Sequence, residues 1–206
     1  MNWKEFKSSV ESNDMKPVYL FFGQEMYLID YMVKYVKKYF IDESLESLNY
    51  VVLEGESVEL DNIIDACETL PFMSEKKVVI IKDLPQLVEG GDKLAGLKEG
   101  DIKFLSQYIT KLDSYVCLIF TIKSAKIIKT SSLYKAIKKA GDIVEFNKLR
   151  GSDLNSWVEQ KFNGFNKKIS KANVNYFIQQ SFYFDSSSNR TLYDLENEIN
   201  KICNYR

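Results

Sequence analysis

The chain has 206 residues, 45% hydrophobic and 28% charged, with 28 basic against 29 acidic side chains for a net charge of −1. Such a length allows more than one small domain, and the composition is that of a soluble globular protein, with nothing near the ~18 continuous apolar residues of a membrane span. Balanced charge gives no global field towards phosphate backbones, the lack of histidine removes the commonest metal ligand and near-neutral base, and Cys67, Cys117 and Cys203 support neither a disulfide framework nor a zinc knuckle. No apolar leader with a small-residue cleavage site opens the chain, so the expected location is cytoplasmic.

Trp3, Phe6 and Val10 fall on one helical face, after which residues 17–23 (Pro-Val-Tyr-Leu-Phe-Phe-Gly) read as a buried strand ending in a glycine turn. Leu28, Met32, Val36 and Phe40 recur at helical spacing, with Lys34, Lys37 and Lys38 turned elsewhere. Residues 50–53 predict a second strand, and Ile63, Ile64 and Cys67 a helix with Ser57 as its N-cap. Then comes the corner Leu70-Pro71-Phe72-Met73-Ser74-Glu75-Lys76-Lys77, leading into the apolar run 78–81, a central strand closed by Lys82 and Asp83. Residues 89–100 read as a surface excursion, and Ile102, Leu105, Ile109 and Leu112 as one helix. Residues 115–120 and 143–146 are the remaining strands, separated by a lysine-rich helix. Strands alternating with helices imply an α/β fold with a mainly parallel sheet.

Beyond residue 147 the pattern changes to three helical stripes: Leu154, Trp157, Val158, Phe162; Val174, Phe177, Ile178, Phe182; and Leu192, Leu195, Ile199, Ile202. The expected division is an α/β domain over 1–147 and a helical second domain over 148–206, with Ser186-Ser187-Ser188-Asn189 as an inter-helix loop.

An α/β domain with a helical appendage is the plan of many nucleotide-driven machines, which need a glycine-rich phosphate loop after the first strand. Here the turn runs Gly23-Gln24-Glu25-Met26-Tyr27, with a single glycine, no Lys-Ser or Lys-Thr, and a carboxylate where phosphate needs donors. Gly90-Gly91-Asp92-Lys93 has no helix directly behind it and reads as a loop. No catalytic residue, metal ligand or cofactor site is therefore expected.

Two surfaces stand out. Pro71 forces extended geometry on Leu70 and ends the preceding helix, so Leu70, Phe72 and Met73 lie on a corner where they are either tucked under the sheet or displayed; spacing alone favours burial. Lys123, Lys126, Lys129, Lys135, Lys138 and Lys139 form a run with no acid between its ends. That run reads as contact with DNA phosphates or an acidic partner, or as the solvated face of a helix whose Leu133, Tyr134 and Ile137 point inward; the near-neutral total charge favours the solvated face.

Val18-Tyr19-Leu20-Phe21-Phe22-Gly23-Gln24-Glu25 with Tyr27-Leu28, the corner Leu70-Pro71-Phe72-Met73-Ser74-Glu75-Lys76-Lys77-Val78-Val79, and the tail Asp194-Leu195-Glu196-Asn197-Glu198-Ile199-Asn200-Lys201-Ile202 together resemble the delta subunit of the bacterial DNA polymerase III clamp loader. The resemblance implies an AAA+-like, RecA-type sheet followed by a small all-helical lid domain, with no bound ATP. It implies a non-catalytic subunit that binds the sliding clamp (the beta subunit) and opens its ring. The implied partners are ATP-hydrolysing loader subunits, a delta-prime-like subunit and primer-template DNA, with no membrane. By position, the family's clamp-binding wedge falls on Leu70, Phe72 and Met73. The family often has a bulky aliphatic and then an aromatic after the proline, where this chain has Phe72 and Met73, and arginine where this chain has Lys76 and Lys77. Delta subunits continue into a C-terminal collar domain, which is expected to be absent from this chain. The alternative is a nucleotide-binding α/β enzyme with an unrecognised site built on carboxylates such as Glu25 and Asp83.

Overall fold

The computed structural model describes residues 1–92, 94–185 and 187–205; Lys93 of the glycine loop, Ser186 of the inter-helix loop and the terminal Arg206 lie outside the described residues. The chain divides into two compact units, Met1–Phe146 and Asn147–Arg206.

In the first unit, strands β1 (Val18–Gly23), β2 (Tyr50–Glu54), β3 (Lys77–Lys82), β4 (Val116–Ile122) and β5 (Asp142–Phe146) form one sheet in the order β2-β3-β4-β1-β5, every neighbouring pair parallel. The inner strands β1 and β4 are buried along their whole length, which is why they read as unbroken apolar runs. Side chains alternate between the two faces. On one face Phe6 of α1 (Trp3–Glu11) packs edge-on against Tyr19 and Phe21, with Phe146 beside Phe21. On the other, Leu20, Phe22, Val79, Ile81, Leu118 and Phe120 share a core with helical residues such as Leu105 and Ile137.

The helices between the strands are α2 (Met26–Phe40), the single turn α3 (Glu46–Asn49), α4 (Leu60–Glu68), α5 (Glu99–Tyr108) and α6 (Ser132–Ala140). Because every strand runs the same way, the start of β3 and the finish of β1 lie at opposite ends of the parallel strands. The corner before Lys77 and the turn after Gly23 are therefore on opposite sides of the fold.

Three expectations need correction. The helix expected from Ser57 begins at Leu60, because Ser57 donates both its N–H and its hydroxyl to the Glu54 carbonyl and is spent on the turn that closes β2. The helix expected to reach Leu112 ends at Tyr108, where the winding tightens to a 3₁₀ turn over Ile109–Lys111 that closes the last carbonyls. Phe182 lies past the end of its helix with a positive φ of 54°, its ring exposed.

The second unit consists of α7 (Gly151–Gly164), α8 (Lys171–Gln180) and α9 (Leu192–Asn204). Leu154, Trp157, Val158, Phe162, Val174, Leu192, Leu195 and Ile199 are buried. Tyr183, also buried, accepts from the Leu149 N–H at its hydroxyl (3.1 Å) and from the Lys148 ammonium at its carbonyl (2.6 Å), tying the start of the unit to its α8–α9 connection. Asp194 and Thr191 form a capping box at the start of α9.

Candidate functional site

The segment between α4 and β3 is irregular, and its backbone groups must be satisfied one at a time. At the end of α4, Thr69 donates its hydroxyl back to Asp65 (2.7 Å), and Pro71 prevents continuation. Asn49, the last residue of α3, is fully buried; its Nδ2 donates to the Phe72 carbonyl (2.8 Å) and its Oδ1 accepts from the Phe72 N–H (2.7 Å). Ser74 donates to the Phe40 carbonyl at the end of α2 (2.9 Å), and Glu75 accepts from Asn13 (3.0 Å).

Two buried lysines complete the frame. Lys76 reaches the Ser114 carbonyl (2.6 Å) and Lys77 the Leu48 carbonyl (2.5 Å), so each stem packs inside while its ammonium finds an oxygen. Burial holds the Lys77 amine below the ordinary lysine range. Single carbonyl acceptors suit an ammonium, where the fork of an arginine would need two.

On this frame the large side chains face outward. Leu70 is 69% exposed, Phe72 53% and Met73 81%. Met73 also holds a positive φ of 50°, uncommon for a residue that is neither glycine nor asparagine. The spacing-based expectation of burial is not what the fold does here: the sheet's interior is filled by Val78–Ile81 and their partners, and the corner stands outside it. Leu48, beside Asn49, is exposed as well. Sequence reasoning missed Asn49, Ser74 and Asn13, whose partners lie far along the chain and leave no local signal.

The turn after β1 is built differently. The N–H of Gly23 donates to Ser124 O (3.2 Å) and that of Glu25 to Phe146 O (3.0 Å), and Glu25 itself is fully buried at the start of α2. Asp83 accepts the Lys123 N–H (2.9 Å) and so ties the loops after β3 and β4 together. Of the two acids of the enzyme alternative, Asp83 thus ties the strand-end loops together and Glu25 is enclosed at the start of α2.

The six lysines are all exposed and fall in two groups: Lys123, Lys126 and Lys129 on the loop after β4, and Lys135, Lys138 and Lys139 on α6, whose Leu133 and Ile137 are buried. Lys129 lies over the Phe22 ring at 6.0 Å. Among the described residues no cluster of three or more Cys, Asp or Glu has metal-binding spacing, and no helix is long and apolar enough to cross a membrane.

Residues 19–147 match the family model described as DNA polymerase III, delta subunit. The chain is 28% identical over 156 residues to the DNA polymerase III subunit delta of Bacillus subtilis (strain 168), a match that covers 76% of this chain and 43% of that protein. Among solved structures, the Bacillus subtilis DNA clamp loader delta protein superposes with a TM-score of 0.72 at 23% identity, over 98% of this chain and 57% of the other. Domain III of the Thermotoga maritima replication initiation protein DnaA superposes with a TM-score of 0.53 at 12% identity, over 97% of this chain and 80% of that domain. At these identities the solved structures speak for the fold alone, which is AAA+-like. The matches span about half the length of the delta proteins.

Proposed function

Since the chain belongs to the DNA polymerase III delta subunit family, we propose that it is a non-catalytic clamp-loader subunit that grips the sliding clamp through Leu70, Phe72 and Met73 and opens, or holds open, its ring during DNA replication. The observation that carries this reading is the display of three large apolar side chains on a segment fastened from α2, α3 and the turn after α1. Exposed apolar groups on a fixed frame are the material of an interface hot spot. Burying each in a clamp pocket contributes about 1.5–3 kcal/mol, so two or three suffice to dominate a micromolar contact of about −8 kcal/mol. Opening further requires that the wedge bind the distorted ring interface better than the closed one, since equal affinity shifts nothing.

Energy for the cycle comes, on this reading, from ATP-hydrolysing neighbours, with a delta-prime-like subunit as a further partner and primer-template DNA passing near the exposed lysines. The test is surface plasmon resonance of the chain on its own organism's clamp, with Phe72→Ala and Met73→Ala checked for native circular dichroism. Binding by the native chain that falls at least roughly tenfold in folded variants supports the wedge. A native chain that does not bind, or folded variants that bind as the native chain does, overturns it.

A further inference from the structure

Resting on the clamp-gripping role above, we propose that Asn49 is the positioning residue of the wedge, fixing the direction of Phe72 and Met73 before any partner arrives. A residue outside regular structure has a peptide N–H and a peptide C=O to satisfy, and among short side chains only asparagine offers an acceptor and a donor side by side. Asn49 uses both on one residue, Phe72, as a neighbouring strand would. The pairing settles the orientation of the amide, because reversing it would set its NH₂ against the Phe72 N–H and its oxygen against the Phe72 carbonyl.

Three further observations converge on the same point. Asn49 is fully buried although its neighbour Leu48 is exposed, so the fold encloses the amide rather than leaving the corner to bond with water. The segment around Asn49 is tied at several points: Lys77 holds the Leu48 carbonyl, Glu46 pairs with Lys37 of α2 at 2.6 Å, and Lys37 lies over the Tyr50 ring at 5.1 Å. The left-handed Met73 comes directly after the held residue and directly before Ser74, which is anchored to Phe40. A strained conformation persists only where its flanks over-determine it, and such residues gather where a ligand is clamped.

A wedge aimed in advance loses little conformational freedom on binding, and a loose one must be ordered by its partner. Asn49 thus acts through Phe72 and need not touch the clamp.

Amide hydrogen exchange in the free chain, together with clamp binding in a double-mutant cycle, tests the role. In Asn49→Ala the Phe72 amide is expected to exchange at least roughly tenfold faster while β1 and β4 amides keep their native rates. Clamp affinity should fall roughly fivefold in the native background but no more than about twofold in a Phe72→Ala background, where the side chain that Asn49 aims is gone. Where Asn49→Ala does not fold, Asn49→Leu, which keeps nearly the same shape and loses both the acceptor for the Phe72 N–H and the donor to the Phe72 carbonyl, is expected to behave in the same direction. Unchanged Phe72 exchange, or equal affinity losses in the two backgrounds, overturns the proposal. Should the native chain fail to bind the clamp, the gripping role falls, and the exchange result alone still decides whether Asn49 fixes the corner.

Discussion

Lys77 shows how single residues set this molecule's response to pH. Its ammonium is buried, so the folded state disfavours the charge, and its contribution to stability grows as pH rises towards the ordinary lysine value of 10.5. Other buried groups act in the opposite direction. Burial pushes the thiols of Cys67 and Cys117 from 9.0 up to about 12, and the phenol of Tyr19 from 10.0 up to about 12. Between those limits the folded chain keeps protons that the unfolded chain has released, so stability falls as pH climbs past about 9. Tyr50 and Tyr108 are raised by burial as well, so more groups are raised than lowered and the decline is expected to prevail. With no histidine in the sequence, no side chain has its ordinary titration between about pH 6 and 8, and stability there should be level. Urea midpoints at about pH 7, 9 and 10.5 check this, with Cys117→Ala expected to flatten the alkaline decline; a midpoint that holds or rises at the highest pH contradicts it.

At the scale of elements, Gly23 joins β1 to the turn before α2, and its conformation is required rather than merely tolerated. Its φ is +150°, and a Cβ placed there would sit 2.2 Å from the Phe146 carbonyl oxygen, a backbone atom of the paired strand β5. Gly23→Ala is expected to cost about 2–4 kcal/mol and lower the denaturant midpoint accordingly, through backbone strain and forced separation of the β1–β5 edge. A midpoint unchanged from the native chain would show that the strand shifts without penalty. That a glycine ends this strand was legible from the sequence; that it is fixed by β5, more than 120 residues later, was not. The same divide runs through the rest of the fold. Strands announced themselves because inner strands of a parallel sheet are apolar on both faces, and the corner because Pro71 interrupts a helical pattern. The start of α4 was misplaced because Ser57 is chemically fit to cap a helix and is instead consumed by the turn after β2. Within the candidate site, the three displayed side chains could be named from the sequence, but their exposure could not, since it depends on Asn49, Ser74 and Lys77 finding carbonyl and amide partners supplied by folding.

Across the whole first unit, the two ends of the parallel strands carry different features. In open α/β sheets, ligands are held outside the carboxyl ends of the strands, where helix N-termini point their N–H groups at phosphate. Here that end carries the turn after β1, whose Gly23 and Glu25 N–H groups are already given to Ser124 and Phe146. Glu25, buried at the start of α2, stands where such folds hold phosphate and brings an acid side chain instead of a lysine or hydroxyl donor. The displayed apolar corner lies at the opposite end, where β3 begins. A phosphate arriving at the β1 turn would have to break two backbone hydrogen bonds and displace a buried acid, with no lysine or hydroxyl following the glycine to hold it or its magnesium. Isothermal titration with Mg-ATP is therefore expected to show no saturable heat up to about 1 mM nucleotide, where a site of even millimolar affinity would be half filled. Saturable binding in that range would instead favour an enzyme built on Glu25 and Asp83. It would also mean that the turn opens, so the Gly23 and Glu25 amides, which their hydrogen bonds to Ser124 and Phe146 are expected to protect in the free chain, would exchange faster when nucleotide is added.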